Sequence, residues 1–69
     1  MTRHVILYSD EGGSWTAECL SLPDCVGRGE NRADALRQVI DEIRRQLAES
    51  ERDGRPIVKE SFEILPISI

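Results

Sequence analysis

Asp10-Glu11-Gly12-Gly13-Ser14-Trp15-Thr16-Ala17-Glu18-Cys19-Leu20-Ser21-Leu22-Pro23-Asp24-Cys25-Val26-Gly27-Arg28-Gly29 is the stretch whose reading decides the fold. Gly12 and Gly13 tolerate positive φ, which a tight hairpin reversal needs. After the reversal, Trp15, Ala17 and Cys19 fall on one strand face, and Thr16 and Glu18 on the other. Pro23 fixes φ and removes an N–H, so the strand that starts at Ser14 must end by the Leu22-Pro23 corner. Cys25 to Arg28 then reads as a short third strand, with Gly27 and Gly29 marking a bend or a close backbone approach.

Working outward, His4 to Tyr8 is rich in β-branched and aromatic residues and reads as the first strand, antiparallel to Ser14–Leu20. Downstream, Asn31 is a helix N-cap and Asp34 the acidic member of a capping box. Leu36, Val39, Ile40, Ile43 and Leu47 recur at helical spacing as one apolar stripe. Arg37, Asp41, Arg44 and Arg45 fall opposite, with Asp41–Arg45 a favourable i,i+4 pair. Gly54 caps the C-terminal end and Pro56 prevents continuation. Phe62 to Ile69 reads as a last strand, confined to an edge by Pro66. The expected order is β-β-β-α-β, an α+β fold in which an antiparallel sheet is covered on one face by one long helix.

A chain of 69 residues makes one small domain, residues 1–69, near the lower limit for a self-sufficient core. Only three residues are aromatic, so the core must rest mainly on aliphatic side chains, and pairing with a copy or a partner is expected. A homo-oligomer, a dimer or tetramer, follows as an expectation. Ile64, Leu65, Ile67 and Ile69 are its candidate self-association residues, because a frayed polar tail would not be so aliphatic. The net charge is −4, opposite to the basic stripe of a nucleic-acid binder, and favours a basic protein partner. No segment has the roughly eighteen apolar residues needed to span a bilayer, and Met1-Thr2-Arg3-His4-Val5 has too short an apolar run for a secretory signal. A cytoplasmic location with reduced thiols is expected. Cys19 and Cys25 admit a disulfide or, with His4, half a metal site. Their spacing suits zinc poorly, and two small buried thiols are the simpler reading.

The same stretch resembles the HicB-like antitoxins of type II toxin–antitoxin pairs. That pattern is an acidic-Gly-Gly, an aromatic, Ala, an acid and Cys, then Leu-Pro-Gly-Cys, a Gly, and a helix opening into Ala-Leu. Gly12, Gly13, Trp15, Ala17, Glu18, Cys19, Leu22, Pro23, Cys25, Gly29, Ala35 and Leu36 hold those places, over residues 4 to about 57. Asp24 stands where the family usually has Gly, and Leu20 where it often has Pro. The resemblance implies a reduced ribonuclease H-like fold and a partner toxin: a small basic HicA-type mRNA-cleaving ribonuclease with a catalytic histidine, which the antitoxin covers. Many members add a C-terminal DNA-binding segment. Only thirteen residues follow Pro56 here, so a stand-alone short member without operator binding is expected.

A ribonuclease H-like fold raises the question of nuclease chemistry. Two-metal nucleases need several carboxylates converging from strand interiors, yet His4-Val5-Ile6-Leu7-Tyr8 carries none and Glu18 is the one acid inside the first three strands. His4, the one histidine, has no evident nucleophile and orienting acid beside it in sequence, and Gly27-Arg28-Gly29 lacks the further residues of a phosphate loop. No enzyme activity and no cofactor are expected. Trp15 reads as a core aromatic under the helix or as a partly exposed anchor for a partner. Asp24, on a Pro-rigidified turn, reads as plain turn chemistry or as a charge presented to a basic partner. Trp15 and Asp24 are the candidate partner-binding residues. The alternatives to an antitoxin are an oligomeric structural or adaptor module, and a small-molecule binder, which the size argues against.

Overall fold

The computed structural model describes residues 2–57 and 59–69; Met1, part of the N-terminal run read above, lies outside them. Three strands, β1 (Ile6–Ser9), β2 (Trp15–Glu18) and β3 (Val26–Gly29), form an antiparallel sheet in the order β1-β2-β3, followed by one helix, α1 (Arg32–Arg52). The α+β class, the hairpin and the helix agree with the sequence reading. β1 pairs Leu7 with Ala17 and Ser9 with Trp15; β2 pairs Ala17 with Gly27 and Trp15 with Gly29. The reversal between β1 and β2 is closed by Asp10, whose carbonyl accepts from Gly13 N–H at 3.2 Å and whose N–H donates to Ser14 O at 3.0 Å. Gly13 takes φ +87°, the conformation the sequence signal required.

Asn31 caps α1 as read. Its Oδ1 accepts from Asp34 N–H at 2.9 Å, and its amide donates to Asp34 Oδ2 at 3.2 Å. At the other end Gly54, at φ +70°, donates to Glu51 O, while Arg55 N–H reaches Ser50 O at 2.9 Å. The helix lies on the face of β2 and β3 that carries Ala17, Cys19 and Cys25. With Ala35 and Val39 these form the fully buried core. All five are small, so the core is tighter than an aliphatic one of the expected kind, and larger side chains such as Leu7, Trp15, Leu22 and Ile43 flank it half-buried. Burial and the neighbouring Cys19 push the Cys25 thiol up to about 11, which keeps it neutral, and both cysteines are free.

Two expectations are corrected. Phe62–Ile69 forms no strand: it pairs with no other segment among the described residues, and its aliphatic side chains stay exposed, so the order of the described elements is β-β-β-α. An extended segment becomes a strand only when a ladder receives its backbone groups. Arg45 does not pair with Asp41 either. It donates to Glu42 (Nε to Oε2, 3.0 Å) and to Glu49 (2.7 Å), which stand one turn before and after it on the same helix side. Among the described residues no helix is long and apolar enough to cross a membrane.

The closest approach is at Gly27. A Cβ there would stand 2.5 Å from Ala35 O and also strike Val39 N, both helix backbone; at Gly29 it would stand 2.5 Å from Asp34 Cβ. Gly27→Ala should therefore cost about 3 kcal/mol by overpacking, comparable to the whole stability of so small a domain. Gly54→Ala, with open space around it but positive φ, should cost about 1 kcal/mol. Urea titrations followed by circular dichroism should find the first variant largely unfolded at 25 °C and the second cooperatively folded.

Candidate interaction surface

The Leu22-Pro23-Asp24 corner is held from two sides. Leu22 N–H donates to Cys19 O at 3.3 Å and Cys19 N–H to Cys25 O at 2.9 Å, which closes the turn at the end of the sheet. From the helix, the Gln46 amide donates to Pro23 O at 2.8 Å and to Glu42 Oε1 at 3.2 Å. Asp24 sits at φ +49°, the single positive-φ residue other than glycine among those described. Between the corner and the second half of α1 runs a cleft of about 530 Å3, lined by Leu22, Asp24, Glu42, Arg45, Glu49 and Ile57 among others. This is more space than the chain's size led one to expect, though its walls are as charged as they are apolar. Arg45 bridges Glu42 and Glu49, and its hydrogen bonds, with that of Gln46, pull the Glu42 carboxyl down to about 2. Asp24 enters no ion pair among the described residues and is exposed, so the corner presents uncompensated negative charge at its tip.

Trp15 lies at the opposite end of the molecule. It is half-buried against the core, with the Arg32 guanidinium 6.0 Å from its ring centroid at the start of α1. The helix spans about 21 Å between Arg32 and Gln46, so Trp15 and Asp24 do not share one site. Trp15 packs against the core cluster and is partly exposed.

The structure adds a network that local sequence patterns did not reveal. His4 N–H donates to Glu60 Oε2, and His4 Nδ1 meets Glu60 Oε1, each at 2.7 Å. Ser21 Oγ donates to Glu60 at 3.2 Å and accepts from Arg3 Nη1 at 3.2 Å, while the His4 and Phe62 rings meet edge-on at 6.2 Å. These bonds, the His4 backbone N–H first, hold the Glu60 carboxyl below the usual carboxylate range. The trio contains His, Ser and an acid, but the serine bonds the carboxylate and not the imidazole, so the nucleophile–base contact of a hydrolytic triad is missing. What the network does is tie the C-terminal segment to His4, two residues before β1. His4 and Glu60 stand 56 positions apart, and no spacing rule links residues at that separation. Among the described residues no three His, Cys, Asp or Glu side chains come together as a metal site would need. Beyond the tie, Ile64, Leu65, Ile67 and Ile69 are at least 66% exposed.

Because both carboxyls titrate lower folded than unfolded, their contribution to stability is complete above about pH 4.3 and is lost as pH falls through their folded values, about 2 for Glu42. Urea midpoints should therefore drop between pH 4.3 and 2. Glu60→Gln should lower the midpoint at pH 7 and flatten that acid slope; an unchanged slope would detach Glu60 from the stability of the fold. Comparison of the chain with protein-family models, curated proteins and solved structures gives no match in any of the three.

Proposed function

We propose that this chain is a HicB-like antitoxin that binds and occludes a small basic HicA-type ribonuclease. The observation that carries the reading is the corner. The family pattern has glycine where this chain has Asp24, and Asp24 adopts φ +49°, a conformation that glycine takes freely and Asp tolerates better than most residues. A positive φ at this position supports the reading, because it is a conformation in which glycine would be at home. Ala17, Cys19 and Cys25, three further pattern positions, are buried under the helix, and Gly29 is pressed against Asp34 where a side chain would not fit.

Occlusion needs no catalytic group on the antitoxin. It needs a rigid surface of opposite charge that reaches the toxin's RNA-binding face before RNA does. The exposed Asp24, unpaired among the described residues, on a turn pinned by Gln46 supports such a surface, and a pre-ordered loop loses little entropy on binding. Trp15 offers a second, separate apolar contact. A second reading is an oligomeric structural or adaptor module without a toxin; the exposed aliphatic Ile64, Leu65, Ile67 and Ile69 favour it.

Affinity capture with the tagged protein in its native cells should recover a small basic protein, and Asp24→Lys should weaken that complex at least about tenfold while the domain stays cooperatively folded, its thermal melt lowered only by the strain of Lys at positive φ. Recovery of no such protein overturns the antitoxin reading. Consistent with the −4 charge, the chain alone should shift neither duplex DNA nor RNA in gels at 150 mM salt.

A further inference from the structure

β1 is an edge strand whose outer side pairs with no other strand among the described residues. Asp10 N–H points to Ser14 O, so by the two-residue alternation of an antiparallel ladder Tyr8 and Ile6 also face β2, and the backbone groups of Val5, Leu7 and Ser9 face outward. The other edge is treated differently: the outward N–H of Arg28 in β3 donates to Gln38 of α1 at 3.1 Å. Beside the free edge, between Val5 and the helix, runs a groove of about 420 Å3 lined by Leu36, Ile40, Ile43 and Leu47, with Ile40 on its lip 41% exposed. The molecule thus has an unpaired edge, an adjoining apolar groove and, on the same chain, an exposed aliphatic segment.

We propose that two copies of this chain exchange C-terminal segments, each laying Leu65–Ile69 antiparallel along the free edge of the other's β1. Leu65, Ile67 and Ile69 alternate with Pro66 and Ser68, so a strand through them has one aliphatic face. When these three turn their backbone groups to β1, Pro66, which has no N–H, turns to solvent, so the new outer edge lacks a donor there and is a poor template for further pairing. Directly opposite residues of an antiparallel ladder share a face. Setting Ile67 against Leu7 puts Leu65 against Ser9 and Ile69 against Val5, and sends all three aliphatic side chains to the helix side, into the groove.

The chain cannot do this for itself without reversing direction. Glu60 is tied to His4, so its own segment starts at the beginning of β1 and would run parallel to it. In a parallel ladder the outward-pointing residues of one strand stand opposite the inward-pointing residues of the other. Leu65, Ile67 and Ile69 would then land beside Ile6 and Tyr8 on the face away from the helix, leaving the groove unfilled. An antiparallel occupant comes from a second copy, and a two-fold axis makes the exchange reciprocal. At about 100 Å2 per side chain with an equal area of groove covered, two segments bury on the order of 1,200 Å2, enough for a specific interface. The inference gives a geometry to the self-association favoured by the exposed segment, and it holds whether or not a toxin also binds.

The test uses the full-length protein alone. Light scattering after gel filtration should give a dimer, and Ile67→Lys should raise its dissociation constant at least about tenfold with an unchanged circular dichroism spectrum. Separately purified Ser9→Cys and Leu65→Cys variants, mixed and mildly oxidised, should form a mixed disulfide dimer, whereas Ser9→Cys mixed with Ser68→Cys should not. A monomer at 100 μM, a dimer indifferent to Ile67→Lys, or an intrachain disulfide in the Ser9→Cys, Leu65→Cys double variant would each overturn the exchange. None of these results bears on the toxin, which is tested by capture and by Asp24→Lys.

Discussion

Helix α1 approaches β3 so closely that the position of Gly27 has no volume for a side chain: its missing Cβ would overlap the helix backbone at Ala35 and Val39. Everything else follows from that distance. A helix this near the sheet leaves room underneath only for small residues, and Ala17, Cys19, Cys25, Ala35 and Val39 occupy it completely. Gly29 repeats the constraint one step along β3. The chain returns along β3 as α1 and ends beside the corner, where Gln46 fastens Pro23. The fastening of the corner and the charged cleft beside it are therefore products of the same contact.

A core made of small side chains is dense but modest in area. Hydrophobic stabilisation scales with apolar surface removed from water, and the larger apolar residues here (Leu7, Trp15, Leu36, Ile43) are only partly withdrawn. The helix also sits toward β3, so the β1 side of the sheet is less covered and Ile40 stays in contact with solvent. Packing tightly on one edge thus leaves the opposite edge and its groove open. The exposed aliphatic C-terminal segment is the part of the chain chemically suited to that vacancy.

Charge is arranged with similar economy. The helix neutralises its own acids locally, Asp34 with Arg37 at 2.7 Å and Glu42 and Glu49 with Arg45. Such exposed pairs contribute little to stability. Their consequence lies in what they leave over: Asp24, unpaired among the described residues, on a fastened corner, and a net charge of −4.

The hairpin, the Leu-Pro corner, the N-cap at Asn31 and the end of the helix at Gly54 were all legible in the sequence, because each depends on φ preferences or hydrogen bonds within a few residues; at Gly27 the sequence offered a bend or a close approach, and the helix position chose the latter. The choice of Arg45's partners was misread, since Asp41 and Glu49 both satisfy the same spacing rule and the rule does not rank them. The last segment was misread as a strand for a related reason: its composition states what it would pair as, not whether a partner edge lies within reach. The tie between His4 and Glu60 was invisible, as was the separation of Trp15 from Asp24, because both are set by how elements distant in sequence come together. Local backbone chemistry, then, was determined by the sequence alone; which faces remained open, and which groups met across the chain, was decided by the spacing of helix and sheet.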